Sequence, residues 1–347
     1  MMPILSEILL EHSNAAADYA TTRIYASHPD LQHRFGEQGK RSCRADIALH
    51  ISFLTGALSS GNSRPFTEYI CWLDSVLAAR NVPGSSLAES LHWLADYFEH
   101  KLTPIDHAIV SGIFNDASNA LSAARVSAQI PAFMQCLPVP HHSADLLTCK
   151  LAAGNIREVH ELLQQARLDG AGYIYIATHL LQPAMYQIGQ MWQQNLISVA
   201  QEHLATTIVQ NELACLYGLA EFSPPNGKRA LFACAEGNMH SIGIRMVADS
   251  FELAGWQVQQ LGANLPITAL LSQISAWQPE LVGLSVSQAQ HLDALRRTIE
   301  AIHGEFGEHR PQIMIGGLCT NALSEMWRML KADSWSPSAD LTQIVTS

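Results

Sequence analysis

The residues best suited to chemistry lie in the C-terminal third of the chain. Glu236-Gly237-Asn238-Met239-His240-Ser241-Ile242-Gly243 follows one short apolar run, Ser285-Val286-Ser287 closes a second, and Gly316-Gly317 closes a third. Glycine removes Cβ bulk where a ligand must lie against backbone, and serine offers a small hydroxyl. A histidine among them can ligate a metal through a neutral imidazole nitrogen. One histidine cannot hold a bare ion, but a metal already caged in a macrocycle needs only one axial ligand. None of these loops is a GxGxxG or GxxxxGKS/T phosphate cradle, so nucleotide hydrolysis has little support.

The elements that must position these loops are legible in the periodicity. RALFACAE (229–236), WQVQQLG (256–262), ELVGLSVS (280–287) and PQIMIGG (311–317) read as strands. They alternate with helical stretches at 241–255, 267–278 and 293–306, which predicts parallel βαβ units and a doubly wound sheet. Such sheets bind ligands at the carboxyl ends of their strands, where the three loops fall.

Upstream, residues 143–222 read as four helices (143–152, 155–168, 170–194 and 198–220) with short breaks at Gly154-Asn155 and Asp169-Gly170, the pattern of a compact bundle. Residues 1 to about 135 are also helical. Apolar residues recur at i, i+3, i+4, i+7 in 45–61, 65–80 and 86–102, broken at Gly61-Asn62, Pro83-Gly84 and Pro104. Proline-punctuated segments at 130–140 and 223–227 read as linkers. The expected division is a helical N-terminal sensor or interaction domain (1–140), a four-helix-bundle cap (141–225) and an α/β domain (226–347).

Composition narrows the class. Of 347 residues, 48% are hydrophobic and 15% charged, enough apolar material for a sizeable core. The net charge is −11 and no Lys/Arg-dense stretch or recognition helix is visible, which argues against direct nucleic-acid binding. The N-terminus lacks the basic start and apolar run of a secretory signal, and no window approaches a membrane span. Seven cysteines, scattered and never in C-x-x-C, fit reduced thiols in a cytoplasmic protein.

Four elements in order, N-M-H-S-I-G (238–243), LGANLP (261–266), VGLSVS (282–287) and IGG (315–317), resemble the cobalamin-binding domain shared by methionine synthase, B12-dependent mutases and B12 photoreceptors. That family carries D-x-H-x-x-G, then S-x-L or S-x-S, then G-G. The resemblance implies a flavodoxin-like fold, with His240 displacing the cofactor's own base from cobalt. The loop Asn238, Met239, His240, Ser241, Ile242 and Gly243 would contact the cofactor, Gly243 giving clearance. Leu284, Ser285, Ser287, Gly316 and Gly317 would line a slot for the displaced nucleotide tail. Asn238 stands where the motif has a carboxylate; it accepts a hydrogen bond but supplies no negative charge to the imidazole. Glu236 is a less well placed substitute.

In MWQQNLISVAQEHLATTIVQNEL (191–213), Trp192 is followed after nine residues by Glu202-His203. This resembles the W-x9-E-H pattern in the cap helices of B12-dependent photoreceptors related to light-responsive MerR-type repressors. By that resemblance Trp192, Val199, Glu202 and His203 face the upper side of the corrin, Trp192 packing on an adenosyl group and Glu202 bonding its ribose. Those sensors place a histidine directly after the tryptophan, where this chain has Gln193. Their DNA-binding domain is replaced here by the N-terminal helical region. Some proteins with this cap serve as sensor modules for partner enzymes, and one subfamily also holds a bilin. His50, His92, His100, His107, Phe66, Tyr69, Trp72, Trp93 and Tyr97 are the residues that could line a pocket for a tetrapyrrole such as biliverdin.

Taken singly, each of these residues has an ordinary structural reading: a surface or capping histidine, a buried tryptophan, a solvated Glu-His pair, a strand-ending Gly-Gly. Their joint order carries the expectation. It is a cobalamin-binding, homo-oligomeric sensor, not itself an enzyme, holding adenosylcobalamin and switched by light or by exchange of the upper ligand. A corrinoid-carrying subunit of a methyltransferase or mutase system is the alternative. A scaffold that binds the cofactor without photochemistry is a third reading.

Overall fold

The computed structural model describes residues 2–82, 84–127, 142–322 and 325–346. The chain divides into two compact units. The first comprises Met1–Ala132 with Ala289–Asp293, and the second Phe133–Gln288 with Ala294–Ser347. The linker expected at 130–140, and the domain boundary within it, lie outside the described residues.

The first unit is built on helices α1 (Met2–Ser27), α2 (Pro29–Ser59), α3 (Arg64–Ala79), α4 (Ser85–Glu99) and α5 (Pro104–Ser127). Pro29 and Pro65 sit in the first turn of α2 and α3, where no backbone N–H is missed. Gly36, at φ 61°, ψ −160°, breaks α2. Leu9, Ile24, Ile51, Leu54, Phe66 and Phe98 are fully buried between these helices. Several residues considered for a tetrapyrrole pocket belong to this packing. His50 Nδ1 meets the Tyr69 hydroxyl at 2.8 Å, Phe53 stacks on Tyr69, and Phe66 tilts against it. Burial pushes the His50 imidazole down to about 3, so it is neutral. His92 and His100 lie exposed at the surface.

The second unit opens with α6 (His142–Ala152) and α7 (Ile156–Leu168). A turn at Tyr173–Tyr175 then runs through a π-helical segment, Ile176–Leu181, into α8 (Gln182–Gln193), and α9 (Val199–Tyr217) follows. The single helix expected over 170–194 is interrupted because the Gln182 N–H reaches five residues back to Ala177 O, and Pro183 after it has no N–H to give. Leu147, Leu163, Ile176, Leu181, Ile208 and Leu213 form the bundle core.

After the bundle come β1 (Arg229–Cys234), β2 (Gln257–Gly262), β3 (Leu281–Ser285), β4 (Gln312–Gly316), β5 (Ser334–Ser336) and β6 (Val345–Thr346). They are ordered β2-β1-β3-β4-β5-β6, with β6 alone antiparallel to its neighbour. Helices α10 (Ile242–Leu253), α11 (Ile267–Trp277) and α12 (Leu292–Phe306) supply the crossovers. This is the doubly wound, flavodoxin-like order. The apolar runs of β1 and β3 are its buried centre.

β5 and β6 go beyond the four strands read from sequence, since elements of three and two residues carry no measurable period. Asp333, just ahead of β5, binds the sheet's edge together. It accepts both guanidinium N–H groups of Arg310, at 2.6 and 2.7 Å, and the Ile313 N–H at 2.7 Å, tying β4 to the start of β5. Burial raises its pKa, but the Arg310 and Ile313 hydrogen bonds outweigh that and hold the carboxyl below its usual range. A folded-state pKa below the unfolded one stabilises the fold above the unfolded value and is lost as the pH falls through the folded one. Asp333→Ala is expected to cost about 1–2 kcal/mol in urea unfolding at neutral pH, a cost that shrinks as the pH is taken below the carboxylate range.

Candidate cofactor-binding site

Helix α10 has two apolar faces. Ile244, Ala248 and Phe251 pack on the sheet beside Phe232 and Cys234, while Met246, Ile242 and Leu253 pack into the bundle core. Polar contacts reinforce the second interface: the Tyr173 hydroxyl donates to Asp249 Oδ2, and Arg245 Nη1 donates to Gln210 O at 3.1 Å. The loop bearing His240 is therefore strung between the end of β1 and the start of a doubly anchored helix.

That loop turns at Gly237, whose φ of 85° only glycine adopts cheaply, and the Asn238 N–H closes the turn onto Ala235 O. Asn264 clips it from outside, accepting the Gly237 N–H and donating its own N–H to Asn238 O. Asn238 is fully buried, at 0% exposure. Its Oδ1 accepts the His240 N–H at 3.2 Å and lies 3.3 Å from His240 Nδ1, and its Nδ2 donates to Ser285 O at 2.9 Å. The His240 carbonyl accepts from the Cys234 thiol, which burial keeps protonated, its pKa pushed up to about 12.

The imidazole itself is exposed at the sheet edge. Partial desolvation nevertheless lowers its pKa, against the attraction of the Glu202 carboxylate, so the ring is neutral at ordinary pH. An Nδ1–H directed at Asn238 leaves the Nε2 lone pair as the available donor to a metal.

Strand register aligns the other loops. Cys234 pairs with Ser285, Ser285 with Gly316, and Gly316 with Ser336, so one row crosses the carboxyl edge of the sheet. Ser336 is a member that sequence periodicity misses, because β5 is too short to read. Ser285 is buried and Ser287 half-buried, while the Leu284 side chain is strand core. Gly317 sits at φ 106°, where an added Cβ would come within 2.3 Å of Val286 O, so backbone packing alone demands glycine there. Around Gly243 an added Cβ meets nothing within 4 Å. Met239 is exposed, Ser241 makes no capping bond, and Ile242 packs on the bundle.

The bundle's contribution is fixed by two helix-end motifs. α8 ends with Asn195 at φ 59°, the Leu196 N–H reaching back to Met191 O and the Asn195 N–H to Trp192 O. α9 begins with a capping box, Ser198 and Gln201 each bonding the other's backbone N–H. Trp192, partly buried against the core, and Glu202, in the first turn of α9, are thus held at a set spacing. Glu202 accepts from Thr206 Oγ1 at 3.1 Å and meets His203 Nδ1 at 2.6 Å. Val199 and His203 are exposed, whereas Gln193 is buried. The Glu202 charge reaches His240, so the first turn of α9 lies near the histidine loop.

Comparison with known proteins identifies the class of ligand. Residues 228–338 match the B12 binding domain model, and residues 144–217 match a second model of the same description. These two regions are B12-binding domains. Two relatives from Myxococcus xanthus are the HTH-type transcriptional repressor CarA and the HTH-type transcriptional repressor CarH. CarA is 33% identical over 30% of this chain and 36% of its own length, and CarH 25% identical over 40% and 45%. The chain spans less than half the length of these curated relatives. The monomethylamine corrinoid protein of Methanosarcina barkeri shares the fold, at 20% identity and TM-score 0.51, over 57% of this chain and 93% of that one.

The residues present fit a B12 cofactor. Among the described residues no group of three or more His, Cys, Asp and Glu is arranged to hold a bare metal ion. A corrin supplies its own equatorial nitrogens and asks the protein for one axial donor, which the oriented imidazole of His240 offers beside the open ground at Gly243. The two edge glycines of this B12-binding domain therefore differ in kind, and alanine separates them. Gly317→Ala is expected to destabilise the cofactor-free protein by about 2–4 kcal/mol in chemical denaturation. Gly243→Ala should be neutral, or stabilising by up to about 1 kcal/mol as a helix substitution, while weakening hydroxocobalamin uptake in an absorbance titration.

Proposed function

We propose that this B12-binding protein is a cobalamin-dependent sensor, switched by light or by exchange of the cofactor's upper ligand, and carries out no reaction of its own. The observation that carries the proposal is the bundle edge. Trp192 and Glu202 are set by a helix-ending motif and a capping box, and the Glu202 charge acts on His240. The spacing also resembles that of the B12-dependent photoreceptors, and both Myxococcus xanthus relatives are transcriptional repressors.

In this reading His240 Nε2 would hold the cobalt, and Asn238 would fix the ring that presents it. Ser285, Ser287, Gly316 and Gly317 line the course of the nucleotide tail. Trp192 and Val199 supply an apolar wall above the corrin, and Glu202 with His203 supplies hydrogen-bonding groups for the upper ligand, adenosyl being the one such a wall and carboxylate suit. An adenosylcobalamin held there would supply a light-sensitive cobalt–carbon bond. What the protein adds is a cap whose packing depends on whether the space beside Trp192 and Glu202 is filled, which gives two arrangements of different stability. Gln193 is buried, and a replacement upper ligand would be water, His203 or another group.

The output is a change of self-association or of contact with a partner protein in the cytoplasm. Direct nucleic-acid contact is no part of the proposal, because this chain lacks a basic stretch; the N-terminal region, 1–140, acts as the interaction domain. A bilin beside the corrin is the weakest extension, since His50, Phe66 and Tyr69 are packed into one another; red absorbance after co-expression with a biliverdin source decides it. The second reading, a corrinoid-carrying subunit, is favoured by the fold shared with the monomethylamine corrinoid protein; methyl transfer from bound methylcobalamin to a thiol, with a partner protein, would establish it.

With adenosylcobalamin loaded in the dark, illumination should change the visible spectrum and the elution volume in size-exclusion chromatography together. An unchanged spectrum rules out the photosensor. His240→Ala should weaken hydroxocobalamin binding at least about tenfold, roughly 1.4 kcal/mol, and alter its colour. Trp192→Ala should leave binding largely intact and uncouple the elution shift from light.

A further inference from the structure

The position two residues before His240 is where the family motif carries a carboxylate, and a conservative expectation treats Asn238 as a weakened version of it. The hydrogen bonds around Asn238 point elsewhere. Its two ends do different work: Oδ1 faces the His240 N–H and Nδ1, and Nδ2 donates to Ser285 O at 2.9 Å. Ser285 O also accepts the Ala235 N–H at 3.1 Å, so both of its lone pairs are engaged. The Asn238 main chain is committed as well, its N–H to Ala235 O and its carbonyl to the Asn264 N–H. Asn238 is fully buried and cannot turn to find other partners.

A carboxylate has no proton for the Ser285 carbonyl. In the same rotamer it would set an anionic oxygen against a carbonyl oxygen at a position closed to bulk solvent, while its other oxygen kept the His240 contacts. Burying such an uncompensated contact costs more than the stronger bond to the imidazole returns. The amide satisfies both ends, which an ionised carboxylate cannot.

We infer that Asn238 is a positioning residue that this loop requires as an amide: it fastens the His240 loop to the end of β3 with one end and orients the imidazole with the other. Aspartate, the motif's own residue, is therefore the wrong side chain here. The inference concerning the imidazole rests on His240 being the cobalt ligand; the requirement for an amide does not.

The test is Asn238→Asp, with Asn238→Ala as a second variant, compared with the wild-type full-length chain at a temperature where each is folded. Without cofactor, Asn238→Asp is expected to lower Tm by about 4–10 °C. With hydroxocobalamin it is expected to bind about 10–100-fold more weakly than wild type. The Co(II) EPR spectrum of bound cobinamide, a corrinoid that lacks the nucleotide base, reports directly on a protein nitrogen at cobalt. Its nitrogen splitting should be present in the wild type and weakened or lost in both variants. An Asn238→Asp protein as stable as wild type that binds hydroxocobalamin as tightly overturns the amide requirement. A loss of Tm with affinity and nitrogen splitting unchanged overturns the positioning role. If His240→Ala keeps the wild-type affinity and EPR spectrum, the ligand assignment falls, and the Tm of cofactor-free Asn238→Asp still decides whether the loop needs an amide.

Discussion

Helix α10 is apolar on two sides, and the geometry of the site follows from what covers each side. Its sheet face is buried by Phe232 and Cys234 of β1, and its outer face by the core of the preceding bundle. Each fully buried aliphatic side chain contributes roughly 1.5–3 kcal/mol, so neither interface parts easily. The first turn of α10 is thereby immobilised from both directions, and the histidine two residues ahead of it inherits that rigidity. A side chain held this way would spend little binding free energy on being ordered. The same arrangement makes bundle and sheet one mechanical unit: a displacement of the bundle is felt at α10, and through it at the loop that carries His240.

Opposite the sheet, the interval between Trp192 and Glu202 is held by local chemistry alone. A left-handed Asn195 stops α8, the Ser198–Gln201 box starts α9, and the five residues between the two helices keep them from running on as one continuous rod. Neither device depends on a ligand. The W-x9-E-H spacing is thus a statement about helix termini before it is one about a cofactor. Glu202 sits in the first turn of α9, where the helix dipole favours its negative charge, and that charge partly offsets the desolvation of His240 across the site.

Much of this was legible from sequence because the relevant signals are periodic or sit at fixed offsets. The runs of β1 and β3 are apolar throughout because both faces of a central parallel strand are buried, and the four strands read from sequence fall within a residue or two of their observed ends. What escaped has a common cause. β5 and β6 are too short to have a period, and Ser336 is hidden with them. The role of Asp333 depends on Arg310, twenty-three residues away, and Asn264 reaches the histidine loop only because β1 and β2 are adjacent. The π-helical turn before Pro183 left a helical pattern intact in the sequence, since a widened hydrogen-bond ring displaces the face without erasing it. Pairings made by tertiary structure leave no mark at a fixed distance along the chain.

The site also shows why a motif's residues should be weighed one at a time. Gly317 is glycine because Val286 O lies where its Cβ would be, a demand of sheet packing that would hold with no ligand. Gly243 meets no such demand, since a Cβ there would touch nothing within 4 Å. Asn238 inverts the usual logic in the same way. In water a carboxylate is the better partner for an imidazole N–H, but at a position sealed from solvent the whole hydrogen-bond inventory must balance, and a carbonyl on the far side decides it in favour of the amide. Burial, more than the identity of the ligand, sets which side chain can stand behind the histidine.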